Sequence, residues 1–242
     1  MAARYLLLHA FPFDGSMWDD IAGRLRADGH EVIAPDLRGF GATPLGDSAP
    51  DVEVLVDDAL AMLGNRAAVI AGCSMGGYVA LGIVRRRPDL VAALALVDTK
   101  ATADSEAVRA HRARLAALAE AGDDWSAGML EGLLGETSRR TRPDLVARVE
   151  AALARVPGLT VAWAQRAMAA RPDARPGLGL LAAPVVIAWG EEDILSPREE
   201  QELILAAAPH ARIMGIPRCG HLSPLEAPDA VADVLRGVAS GG

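Results

Sequence analysis

The five residues Gly72-Cys73-Ser74-Met75-Gly76 constrain this chain more than any other stretch. An apolar run, Val69-Ile70-Ala71, leads into them and reads as a buried strand. Apolar residues at helical spacing follow up to Arg87, where Pro88 stops the helix. Strand, Gly-x-Ser-x-Gly turn and helix together form a nucleophile elbow. Such a turn is sharp enough to hold its central residue in a strained conformation, and the flanking glycines let strand and helix pass closely. The strain aims the Ser74 hydroxyl out of the fold. The helix behind it offers free N–H groups and the positive end of its dipole to an oxyanion.

Around this turn the chain alternates. Strands are expected at Tyr5–Leu8, Glu31–Pro35, from about Ala67 into the turn, and at Val91–Val97, Pro184–Trp189 and Ala211–Ile216. Helices are expected at Met17–Ala27, Val52–Leu63, Arg198–Ala208 and Pro228–Val238. Alternation of this kind builds a parallel sheet covered on both faces, and the strands are apolar nearly throughout, as such a sheet requires. Between Thr99 and Ala182 the strand signal disappears. Helices are expected there at Ser105–Ala121, Asp124–Leu134, Pro143–Arg155 and Leu159–Ala169. The reading is an α/β core from 1–98 and 183–242, with a helical cap inserted at 99–182. About six strands are expected, all parallel.

Composition narrows the function. With 242 residues, 51% of them hydrophobic, the chain can bury one full core. A net charge of −8 argues against nucleic acid or an anionic membrane as partner. The two cysteines, Cys73 and Cys219, imply no disulfide framework and a reducing compartment, so a cytoplasmic location is expected. The apolar run at the N-terminus, Tyr5-Leu6-Leu7-Leu8, is too short for a signal peptide or a membrane span.

Five motifs occur in order: His9-Ala10-Phe11-Pro12, Pro35-Asp36-Leu37-Arg38-Gly39-Phe40-Gly41, Gly72 to Gly77, Gly190-Glu191-Glu192-Asp193 and Gly220-His221. On these the chain resembles the α/β-hydrolase fold superfamily from about Leu6 to Leu235. It is most similar to the capped group of 3-oxoadipate enol-lactonases, small esterases and cofactor-free haloperoxidase-like perhydrolases.

A serine hydroxyl is a poor nucleophile near neutral pH and needs a base within hydrogen-bond reach. Five histidines are available. His30 lies in a turn and reads as solvated. His111 sits on a charged helix face among Arg109, Arg112 and Arg114, and His210 precedes a strand. His9 falls in the loop expected to shape the oxyanion site. His221, after the last strand, is the expected base. That base needs a carboxylate to fix its tautomer. The resemblance places the acid at Asp193, in the order Ser…Asp…His, with Asp98 at the end of the preceding strand as the competitor. The oxyanion hole is expected from the N–H of Met75 and, by resemblance, of Phe11. The resemblance departs at Ala10, where many relatives carry glycine. Asp36 and Arg38 read as structural.

The expected substrate is a small carboxylic ester or lactone, with no metal or organic cofactor, and the sequence leaves room for a homodimer. Trp125, Met129, Leu130, Leu133, Leu134, Trp163 and Met168 are expected to pack the cap and to leave a largely apolar pocket without an Arg–Tyr clamp for an anion. The same site would serve perhydrolysis, C–C hydrolysis or a lyase step. Some proteins of this fold instead keep an intact triad and act as ligand receptors.

Overall fold

The computed structural model describes residues 2–240. Six strands form one sheet: β1 (Arg4–Leu8), β2 (Glu31–Ile33), β3 (Ala68–Cys73), β4 (Val91–Val97), β5 (Val185–Gly190) and β6 (Arg212–Ile216). Their order across the sheet is β2-β1-β3-β4-β5-β6, and every pairing is parallel. The register sets Leu7 opposite Ala71, Ala71 opposite Ala95, and Leu96 opposite Ile187.

The two faces follow from the two-residue period of a strand. Leu6, Leu8, Ile70, Leu94, Leu96 and Ile187 point to one side, under α2 (Val52–Leu63) and α3 (Met75–Arg86). Tyr5, Leu7, Val69, Ala71, Ala95 and Val97 point to the other, under α1 (Asp19–Ala27) and the C-terminal helix, Pro228–Ala239. Because both faces are buried along the central strands β3, β4 and β5, these three carry almost no polar residue. Strand order reverses between β1 and β3, which opens a crevice at the carboxyl ends of the strands, the usual ligand position in open parallel sheets.

Six helices lie between β4 and β5: α4 (Glu106–Ala121), α5 (Met129–Leu133), α6 (Glu136–Thr141), α7 (Pro143–Arg155), α8 (Gly158–Ala170) and α9 (Arg175–Leu178). After β5 come α10 (Arg198–Ala207), α11 (Ser223–Glu226) and α12, the C-terminal helix already described. The expected helix Asp124–Leu134 is only five residues long, at Met129–Leu133. Asp124 explains the loss. Its Oδ1 accepts the N–H groups of Ser126 and Ala127 and the Ser126 hydroxyl, which closes a turn that competes with the helix. Gly128 then sits at a φ of 76°, outside helical space. The short helices α6, α9 and α11 give too few turns for a periodic signal. β2 stops at Ile33, two residues before the expected end at Pro35, because the ladder with β1 closes there.

Candidate active site

Ser74 follows β3 and caps α3 at φ 50° and ψ −112°, a strained conformation for a side chain with a Cβ. The glycines around it fit a close crossing. A Cβ on Gly72 would lie 2.2 Å from the Gly76 carbonyl oxygen, and one on Gly76 would lie 2.1 Å from that of Leu8. The Thr99 hydroxyl donates to the Ser74 carbonyl at 2.7 Å and ties the end of β4 to the turn.

Ser74 Oγ stands 2.8 Å from His221 Nε2, and His221 Nδ1 stands 2.8 Å from Asp193 Oδ2. The three expected residues are therefore brought together. His221 and Asp193 are buried. Burial alone would lower the His221 pKa, but the charge and hydrogen bond of Asp193 outweigh it and raise the imidazole above its ordinary 6.5. Burial would likewise raise Asp193; the imidazole and the hydrogen bonds from Ser196 hold it below its ordinary range. Asp193 Oδ1 accepts the N–H groups of Leu195 and Ser196, and Oδ2 also accepts the Ser196 hydroxyl at 2.5 Å. The loop thus grips the carboxylate before His221 reaches it.

The competing acid, Asp98, is fully buried but makes no hydrogen bond to His221. Its Oδ1 accepts the Gly190 N–H at 2.8 Å, and its Oδ2 accepts the Ser223 N–H at 2.9 Å and the Ser223 hydroxyl. It joins the ends of β4 and β5 to the loop that carries His221. Burial, with the Asp193 charge next in weight, pushes its carboxyl up to about 8.

Neither the Phe11 nor the Met75 N–H donates to an acceptor among the described residues. Phe11 packs on Phe40 and Trp125, with ring centroids 6.1 and 5.9 Å away. Behind this loop, buried His9 accepts the Leu37 N–H at Nε2 (2.9 Å) and meets the Ala10 carbonyl at Nδ1 (2.9 Å). Only the neutral tautomer with its proton on Nδ1 satisfies both. Burial, against weaker opposing effects, drops its pKa to about 4, which agrees with that assignment.

Asp36 accepts the N–H groups of Gly15 and Ala42, and Arg38 forms a two-point pair with Asp58 at 2.7 and 2.9 Å. Asp36 holds a turn, and Arg38 ties its loop to α2. His30 is half-buried and accepts the Ala3 N–H at 3.1 Å, where the sequence suggested a solvated ring. Cys73 and Cys219 are free and buried, and burial pushes both thiols up, so neither is a thiolate near neutral pH. Among the described residues, no group of three or more His, Cys, Asp or Glu side chains is placed to hold a metal ion. No helix of the described residues is long and apolar enough to cross a membrane.

Ser74, His221 and Phe11 open into a cavity of about 330 Å³. Of the apolar residues expected to pack the cap, Met129, Leu133 and Met168 face this cavity, joined by Val108 and Leu115. Trp163 instead donates its indole N–H to the Ser48 carbonyl. Here the structure corrects the expectation of a pocket without an Arg–Tyr cluster. Lys100, Arg112 and Tyr78 lie on its wall, with exposed His111 beside them. Arg171 stacks 3.9 Å over the Tyr78 ring. Both arginines are matched by buried Asp104, at 2.6 Å from Arg112 and 2.8 Å from Arg171. Sequence reasoning missed Lys100 and Asp104. The first carried a signal, because it is the only lysine in the chain.

The chain belongs to the alpha/beta hydrolase family, whose description matches residues 5–234. It is 32% identical to the pimeloyl-[acyl-carrier protein] methyl ester esterase of Aromatoleum aromaticum, covering 96% of this chain and 98% of that protein. The structure of a thermophilic esterase from Thermogutta terrifontis superposes with a TM-score of 0.93 at 32% identity, over 100% of this chain and 90% of that one. The enol-lactonase from Burkholderia xenovorans shares the fold, with a TM-score of 0.85 at 23% identity over 99% of this chain and 92% of its own.

Proposed function

We propose that this chain is a serine hydrolase of small carboxylic esters or lactones, with Ser74 as nucleophile, His221 as base and Asp193 as its acid. The observation that carries the reading is the unbroken line Asp193–His221–Ser74, two contacts of 2.8 Å, ending on the wall of an open cavity. The relatives named as esterases support an ester as the bond cleaved.

Ser74 Oγ attacks the carbonyl carbon while His221 Nε2 takes its proton. The negative oxygen of the tetrahedral intermediate receives the N–H groups of Phe11 and Met75, which have no acceptor to give up among the described residues. The intermediate collapses with the proton returning from Nε2 to the leaving alkoxide oxygen. Water then attacks the acyl-Ser74 ester by the same proton route and releases the acid. The helices between β4 and β5 act as the cap that shapes the acyl site.

A panel of methyl and aryl esters graded by acyl length, with matched lactones, tests this. Turnover should peak on short acyl groups, and Ser74→Ala should reduce it by about a millionfold, to assay background. Full activity in folded Ser74→Ala protein would overturn the mechanism. Silence of the folded wild type across the panel would overturn the substrate class.

A further inference from the structure

Lys100 is the only lysine in 242 residues; the rest of the 24 Lys and Arg cations are arginine. It lies on the loop leaving β4 and borders the cavity with Ser74 and His221. Its place relative to the nucleophile is fixed. Thr99 is bonded to the Ser74 carbonyl through its hydroxyl, and its own carbonyl accepts from Gln201 Nε2 at 3.2 Å.

The Lys100 side chain is 23% exposed and its ammonium group makes no hydrogen bond among the described residues. The carboxylate it faces, Glu200, is 4.0 Å away, and the other oxygen of Glu200 is taken by the Thr102 hydroxyl at 2.9 Å. The other basic side chains of the wall, Arg112 and His111, each have a protein partner. Arg112 has Asp104 and Gln165, and His111 accepts from Arg114 at 3.4 Å. No Asp or Glu lines this cavity among the described residues, although the chain carries a net charge of −8. A half-buried ammonium group with unused donors is costly unless something completes it. In an acidic protein, such a spot focuses a positive potential where an anion would enter. Lysine suits the task, being a compact charge with three donors that rotate to meet a carboxylate.

We propose that Lys100 binds a free carboxylate carried by the substrate, so that the preferred ester or lactone bears a second, unesterified acid group. The proposal rests on the esterase reading of Ser74. A volume near 330 Å³ is at the small end of ligand sites, and the wall between is mostly hydrocarbon. The substrate class is therefore a short dicarboxylic monoester, its ester at Ser74 and its acid at Lys100.

The test compares kcat/KM for monomethyl esters of succinic, glutaric and adipic acid with methyl esters of unsubstituted acids of matched length. Wild type should favour one of the anionic esters by roughly tenfold to a hundredfold, chiefly through KM. Lys100→Met should collapse that ratio, and Lys100→Glu should invert it. Lys100 is the only side-chain amine, so chemistry offers a second arm. Reductive dimethylation keeps its charge and should keep the ratio; acetylation removes the charge and should abolish it. A wild-type ratio at or below one, or a ratio unmoved in Lys100→Met, overturns the proposal. If wild type cleaves neither ester, the esterase reading fails, and calorimetry on Ser74→Ala still decides this one. Glutarate should bind that protein, and adding Lys100→Met should weaken binding at least tenfold; absence of binding, or equal binding by both, overturns it.

Discussion

Two neighbouring strands, β4 and β5, each deliver a buried aspartate to the same edge of the sheet, and the two are used differently. Asp98, at the end of β4, spends both oxygens on Gly190 and Ser223, groups that belong to the frame. Asp193, after β5, spends one oxygen on its own loop and turns the other to His221. Residue type, burial and position do not separate them. The donors do: Asp98 meets donors that only hold loops together, while Asp193 meets an imidazole whose far nitrogen touches the Ser74 hydroxyl. The comparison teaches that an acid beside a histidine is identified by where its hydrogen bonds end.

The largest effect that would break this contrast is on turnover. Asp193→Asn should lower kcat by about 10⁴-fold while leaving most of the stability, because the imidazole loses the partner that sets its tautomer. If Asp98→Asn gave the larger loss, the assignments would have to be exchanged. Asp98→Ala should act the other way, on the fold. It strands the Gly190 N–H, the Ser223 N–H and the Ser223 hydroxyl in a dry site, with an expected loss of about 3 kcal/mol in denaturant unfolding. A change under 0.5 kcal/mol would show that the frame does not depend on it.

A smaller effect sharpens the contrast through pH. In the proposed mechanism His221 must be neutral to accept the Ser74 proton, and Asp193 raises its pKa above 6.5. As pH falls through that raised value, kcat/KM should drop about tenfold per unit. Asp193→Asn removes the charge that raises it, so the acid limb of the residual activity should move to lower pH. A limb that stays in place in Asp193→Asn but shifts down in Asp98→Asn would assign the influence to the wrong strand.

The site was legible for a local reason. Ser74, Asp193 and His221 each sit within a few residues of a strand end, in Gly-containing turns that interrupt apolar runs, so their place follows from strand order. The helices between β4 and β5 were less so. Asp124 turned a helical pattern into a local turn, and α6 and α9 were too short to show a period. Lys100 borders the cavity beside a non-local contact, that of Thr99 on Ser74. Asp104 meets Arg112 and Arg171 from distant parts of the chain. Pairings of that kind leave no spacing to read.

The backbone of Ser74 carries one more consequence. A residue held at φ 50° costs the native state of order 1–3 kcal/mol, and only glycine escapes that cost. Replacing Ser74 by glycine should therefore yield a protein that melts higher than Ser74→Ala, although both lack the proposed nucleophile. On the proposed mechanism, the chain would be more durable without its reactive centre. Selection for thermal endurance alone would then erase Ser74, and its presence would mark a stability sacrificed to reactivity.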